Sequence, residues 1–308
     1  MSDDHARVSM SSVSASRVLA ADLGDPEAPV LLPDGRWAIV EMSPDTGYVT
    51  IIDPKDRSRQ VLAKTGRPNG LAIDANGDLW IANSVPPSLM RLEFAGNLEV
   101  VTRGSESLPF LWPNDLCFGP DGAVYMTDSG VNHGPWQKVA PQDRLNAELD
   151  GRVLRIDPKT GSVRLIDRGL RFANGIAFGP DNRLYANESL TSKVHVYDWK
   201  DGGVVAERQL FGSVRDAEPD DGIISHPDGM AFGANGWLYV SIYSRGDIVV
   251  LDSGGTVVRR LSTELPRMTN LAFGPAGEKT ICTTSATSDR VGQLCLYEID
   301  TEGLPLLK

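Results

Sequence analysis

A phrase of nine residues recurs six times along this chain, and its first residue always carries a side-chain oxygen. The copies are Glu27-Ala-Pro-Val…Pro-Asp-Gly35, Asn69-Gly-Leu-Ala-Ile-Asp…Gly77, Asn114-Asp-Leu-Cys-Phe-Gly-Pro-Asp-Gly122, Asn174-Gly-Ile-Ala-Phe-Gly-Pro-Asp-Asn182, Asp228-Gly-Met-Ala-Phe-Gly-Ala-Asn-Gly236 and Thr269-Asn-Leu-Ala-Phe-Gly-Pro-Ala-Gly277. In each, the lead residue stands 8 positions ahead of the turn glycine or its stand-in (35−27, 77−69, 122−114, 182−174, 236−228, 277−269). A purely structural repeat has no need to exchange a carboxamide for a carboxylate at one equivalent place. Oxygen-bearing side chains at equivalent places of a ring converge, and converging oxygens are what a hard cation requires.

The grammar around the phrase sets the fold. A short apolar run such as Leu71–Ile73 or Met230–Phe232 meets an Asp/Asn/Gly turn, a hairpin signal by composition. A β-rich run follows, as in Leu79-Trp-Ile-Ala82 or Trp237-Leu-Tyr-Val240, and two further runs complete the unit. Four short antiparallel strands, repeated six times, predict an all-β, six-bladed β-propeller. The lead residues lie 42, 45, 60, 54 and 41 positions apart (69−27, 114−69, 174−114, 228−174, 269−228). The long intervals contain two polar, Gly- and Pro-bearing stretches, Ser129 to Asp150 and Ser213 to His226, which read as loops. The first of these, 129–150, reads as a lid-like insertion. The last unit lacks a fourth strand, and Ser16 to Ala21 can supply it and close the ring. Residues 1–308 are therefore read as one propeller domain, with 1–14 flexible. The residues 14 positions after each lead (Glu41, Asn83, Asp128, Glu188, Ile242 and Thr283) are expected at the same end of the blade, as a second polar ring.

Composition excludes several partners. The net charge is −11 with no Lys/Arg cluster, which argues against nucleic acid and against an anionic membrane surface. No stretch approaches a membrane span, and the acidic N-terminus lacks the apolar segment of a secretory signal. Cys117, Cys282 and Cys295 lack metal-site spacing and read as buried free thiols, consistent with a reducing cytoplasm. Phe118, Phe178, Phe232 and Phe273 read as core. There is no phosphate loop, dinucleotide fingerprint or serine nucleophile elbow.

The phrases Glu27-Ala-Pro-Val, Trp112-Pro-Asn114-Asp, Phe172-Ala-Asn174-Gly-Ile-Ala-Phe and His226-Pro-Asp228-Gly-Met-Ala-Phe, in order and in register, resemble the gluconolactonase/regucalcin (senescence marker protein) family of six-bladed propellers over nearly the whole chain. The resemblance implies one divalent cation in the central channel, held by Glu27, Asn114, Asn174 and Asp228, with calcium first and zinc, manganese or magnesium as other occupants. It also implies hydrolysis of a lactone, often a sugar lactone. Ala28 departs from the Gly or Ser of many relatives.

Two carboxylates and two amide oxygens match a divalent ion in charge and hardness. The expected chemistry is polarisation of the lactone carbonyl while Asp228, as general base, takes a proton from water. Asn69, Asp128, Trp112, His226 and His133 are the candidate substrate contacts. Each has a plainer reading: turn residue, loop cap, blade packing or hydrogen-bonded loop histidine. Glu41 competes with Glu27 for the cation, and register favours Glu27. The partner is a small-molecule lactone, and the protein is expected as a monomer or homodimer. A non-hydrolytic enzyme on the same ring (isomerase, lyase or condensing enzyme) is the alternative, because fold alone does not set chemistry. A non-catalytic propeller that binds partners on its rim is a third reading, against which Glu27 and Asp228 weigh.

Overall fold

The computed structural model describes residues 9–12, 15, 17–215 and 221–308. Six blades follow one another around a ring, each a sheet whose first strand faces the axis. Those innermost strands are Pro26–Leu31, Arg67–Ile73, Pro113–Phe118, Ala173–Phe178, Pro227–Phe232 and Arg267–Phe273, in blades 1 to 6. In blades 1 to 5 the other three strands follow directly in the chain. In blade 6 the outermost strand is Arg17–Gly24, which pairs antiparallel with Val291–Glu298. The N-terminal strand thus closes the ring as expected. Ser9–Ser12, inside the segment read as flexible, adds parallel to the outer edge of blade 5. The remaining residues of 1–14 lie outside the described part, as do Ser16 and 216–220.

The core is divided into six, one cluster between each pair of adjacent blades. Val40, Val49 and Ile51 of blade 1 pack on Leu71, Leu79 and Ile81 of blade 2. Trp37 and Ile39, on the other face of the same strand, pack on Leu19, Cys282 and Leu294 of blade 6. Both faces of each second strand are therefore covered. This explains why Trp37–Glu41, Val124–Asp128, Leu184–Glu188 and Leu238–Ile242 are buried along their whole length. An aromatic contact repeats at four of the joints. Trp80, Tyr125, Tyr185 and Tyr239 each meet the next blade's Phe118, Phe178, Phe232 and Phe273, with centroids 5.8, 5.1, 4.9 and 5.2 Å apart and edge-on. Such pairs contribute roughly 0.5–1.5 kcal/mol each beyond area burial.

Close approach of the blades also needs small residues. A Cβ on Gly175 would lie 2.2 Å from the Asp228 carbonyl oxygen. The insertion 129–150, expected as loop, contains a short helix, His133–Gln137, and a 3-10 turn, Pro141–Asn146. Among the described residues, no helix is long and apolar enough to cross a membrane.

Candidate active site

The lead residues reach the axis because each innermost strand is bulged there. Pairing with the second strand shifts register at Glu27/Val30, Pro68/Gly70, Pro113/Leu116, Ala173/Ile176, Pro227/Met230 and Met268/Asn270. A bulge leaves one residue out of the ladder and re-aims its side chain. At Ala28 the bulge holds φ at +49°, a left-handed conformation that favours glycine.

All six lead residues (Glu27, Asn69, Asn114, Asn174, Asp228 and Thr269) border one cavity of about 380 Å³ at one end of the channel. That volume lies in the range of small-molecule sites. Asn174 Nδ2 donates to Ser189 Oγ at 3.1 Å, and Asn114 Nδ2 donates to Ser129 Oγ at 2.9 Å. Each serine thereby holds an amide with its nitrogen engaged, leaving Oδ1 as the donor atom for a ligand. Asn69 spends its own groups inside the protein. Its Nδ2 donates to Asn114 Oδ1 at 3.1 Å, and its Oδ1 accepts from Arg67 at 2.9 Å. It thus bridges Asn114 and Arg67 while bordering the cavity.

Glu27 is buried and Asp228 partly buried, and among the described residues neither forms an ion pair. Burial pushes the Glu27 carboxyl well up, and Asp228 and Asp115 push it further, against hydrogen bonds from Asn270 and Thr269. Burial likewise raises Asp228, with Asp115 and Asp25 adding to it and Asn174 and Arg67 opposing. Two facing carboxyls in this state need either protons or a cation. Among the described residues no three His, Cys, Asp or Glu side chains cluster as a metal site. The available donor set is thus two carboxylates and two amide oxygens, all hard, and it fits a divalent cation of the calcium or magnesium kind.

The second polar ring does not line the cavity, and this corrects the expectation. Glu41, Asp128 and Glu188 turn away and accept the backbone N–H three residues before their own lead residue: Gly24 at 2.8 Å, Leu111 at 2.7 Å and Arg171 at 2.7 Å. Asp128 also accepts from Trp112 N and Gly130 N, so it pins a loop and does not border the cavity. Glu41 further accepts from Thr50 Oγ1 at 2.6 Å, which removes it as a rival to Glu27. In blade 6 the turn is longer: Gly274 N bonds to Thr280 O, where blade 3 has Gly119 N to Ala123 O. Ser285, not Thr283, consequently takes the equivalent place, opposite Met268.

The residues on either side of that ring carry more of the site. One position earlier, Thr127, Asn187 and Ser241 each donate to the next blade's lead carbonyl, at Asn174, Asp228 and Thr269, over 2.6, 2.5 and 2.9 Å. One position later stand Ser129 and Ser189, described above. Sequence reasoning missed both. The available signal was a Thr, Asn or Ser after the apolar part of the second strand, and a Ser directly after the strand end in blades 3 and 4.

A further tier stands two residues before the leads. Asp25, Arg67, Trp112, Phe172 and His226 all border the cavity, four of them before proline. Trp112 is both cavity wall and packing, edge-on to Phe172 at 5.4 Å. His226 Nδ1 donates to the Ser189 carbonyl at 3.0 Å, which fixes the tautomer and leaves Nε2 as acceptor. His133 does not border the cavity. It packs edge-on against Trp112 at 4.8 Å, and burial, with Arg67 and Arg290 adding, lowers its pKa to about 4. It supports the wall as a neutral ring, a second correction.

Comparison with known proteins is consistent with this architecture. Residues 88–287 match the family described as the SMP-30/Gluconolactonase/LRE-like region. A gluconolactonase of Zymomonas mobilis subsp. mobilis is 27% identical over 291 residues, covering 89% of this chain and 80% of that protein. Among solved structures, a gluconolactonase of Xanthomonas campestris superposes with a TM-score of 0.72 at 23% identity, covering 91% of this chain and 88% of that one. Regucalcin of Agrobacterium tumefaciens, described as calcium-binding, superposes with a TM-score of 0.74 at 17% identity, covering 96% and 98%. The two structural likenesses concern the fold.

Proposed function

Because this chain belongs to the SMP-30/gluconolactonase/LRE-like family, we propose that it is a metal-dependent lactonase that opens the ring of a lactone by hydrolysis. The observation that carries this reading is the pairing of two ion-pair-free carboxyls, the buried Glu27 and the partly buried Asp228, with two serine-held amides in one cavity. The gluconolactonase and calcium-binding relatives support it. Glu27, Asn114, Asn174 and Asp228 would hold the ion, with calcium the first choice. Bound there, a divalent cation supplies positive charge that polarises a lactone carbonyl and lowers the cost of the oxyanion.

The chain's own residues do the rest. Asp228 accepts a proton from the attacking water and returns it to the ring oxygen as the C–O bond breaks. His226 Nε2, held by the Ser189 carbonyl, accepts a hydrogen bond from water or a substrate hydroxyl. Trp112 and Phe172 form the wall against which the ring lies.

Metal content of the purified protein and acid release from a panel of lactones test the reading together. Acid release that needs the metal, stops with chelator and falls at least about a thousandfold in Asp228→Ala is expected. Glu27→Gln is expected to lower metal occupancy as well as rate. Metal bound stoichiometrically with no lactone opened would overturn hydrolysis.

A further inference from the structure

The cavity holds a cationic excess once its carboxylates are accounted for. Its acidic residues are Asp25, Glu27 and Asp228, and its basic residues are Arg67, Arg144 and Arg290. Asp25 and Arg290 pair at 3.1 Å. Glu27 and Asp228 belong to the cation under the reading above, on which this inference rests. Arg67 and Arg144 remain, and among the described residues neither meets a carboxylate within ion-pair distance.

Arg67 is built into the wall. It stands two residues before Asn69 in the innermost strand of blade 2, in the tier that also carries Trp112, Phe172 and His226. One terminal nitrogen donates to Asn69 Oδ1 at 2.9 Å and to Ser84 Oγ at 3.0 Å, and the guanidinium lies 5.2 Å from the Trp112 ring centroid. Both oxygen partners are neutral, so they orient the group without cancelling its charge. Its other side-chain N–H groups bond no described residue, and Arg67 borders the cavity. Arg144 comes from the inserted segment 129–150, its Nε on the Val139 carbonyl at 3.2 Å and its guanidinium 5.2 Å from the Trp136 centroid. A planar fork held over an aromatic wall suits a carboxylate better than a hydroxyl. The neighbouring wall of Trp112, Phe172, Trp136 and Leu145 suits an apolar ring body better than a polyol.

We propose that the substrate is an anionic lactone whose carboxylate is bound by Arg67, with Arg144 closing over it from the insertion. Arg67 is then the residue that separates acid-bearing lactones from neutral sugar lactones.

The test uses the calcium-loaded full chain, γ-carboxy-γ-butyrolactone, and the uncharged amide of the same lactone. Wild type is expected to favour the acid over the amide by at least about tenfold in kcat/KM, mostly through KM. Arg67→Met is expected to bring that ratio to about one, and Arg67→Lys to keep part of it. A wild type without preference, or an unchanged ratio in Arg67→Met, would overturn the proposal. If neither these two nor any lactone of the panel is opened, the lactonase reading fails on its own. Calorimetric titration with the hydroxy diacid formed by opening the acid then decides the anion site. Binding that weakens at least about tenfold in Arg67→Met, and less in Arg67→Lys, sustains it. Absence of binding to wild type overturns it.

Discussion

Three carboxyls on innermost strands, Glu27, Asp115 and Asp228, each hold a proton more tightly than an exposed acid does. Burial is the first cause for all three, and for Asp115 it outweighs the backbone N–H of Leu116 and the Asn270 side chain to give a pKa of about 7. The folded chain therefore binds more protons than the unfolded one, and stability falls as pH rises. For Asp115 the fall runs from about pH 4, the ordinary carboxyl range, to about 7. Each proton contributes up to about 1.4 kcal/mol per pH unit within its window. Chelator-treated protein should melt at a lower temperature at about pH 8 than at about pH 5.5. Under the proposed metal site, calcium should raise the melting temperature more at the higher pH, because it would replace the protons on Glu27 and Asp228. Melting curves across pH, with and without calcium, check this; a flat profile in chelator contradicts it.

Within a blade, consecutive residues of the second strand serve different neighbours. In blade 3, Thr127 ties the blade to Asn174 of the next one, Asp128 pins the loop that carries Trp112, and Ser129 orients Asn114. Asp128 accepts three backbone N–H groups, from Leu111, Trp112 and Gly130. Removing it leaves those buried donors unpaired, each costing about 1–3 kcal/mol. Asp128→Ala should lose about 3 kcal/mol or more in urea unfolding. Asp128→Asn, which keeps one acceptor, should lose less. Equal, small losses in both would show that the loop is held by something else.

At the scale of the molecule, the ring is only as strong as its join. Blade 6 mixes chain ends, Arg17–Gly24 with Val291–Glu298, and Thr269 Oγ1 reaches the Pro26 carbonyl across the seam at 2.8 Å. Leu19 and Leu23 of that terminal strand belong to the core between blades 6 and 1. Deleting residues 1–24 would strip a blade edge and open that core together. The truncated chain is expected to aggregate through the bare strand or to melt at least about 10 °C lower. Size-exclusion chromatography and calorimetry distinguish these, and a truncated chain that melts like the full one would refute the account of closure.

Local sequence determined the repeat, the blade count and the lead residues, because each hairpin is encoded by its own short phrase of apolar run and turn. The strand near residue 17 that closes the ring was legible for the same reason: one unit lacked a strand and one strand lacked a unit. What each polar side chain faces was decided only by the tertiary structure. The residue 14 after the lead falls at the same end of the blade as the lead, but the bulge aims one side chain at the axis while the strand pairing turns the other back onto a loop. The same holds for Arg67. Its neighbours in sequence say nothing about the missing counter-charge, which is a property of six blades meeting around one cavity.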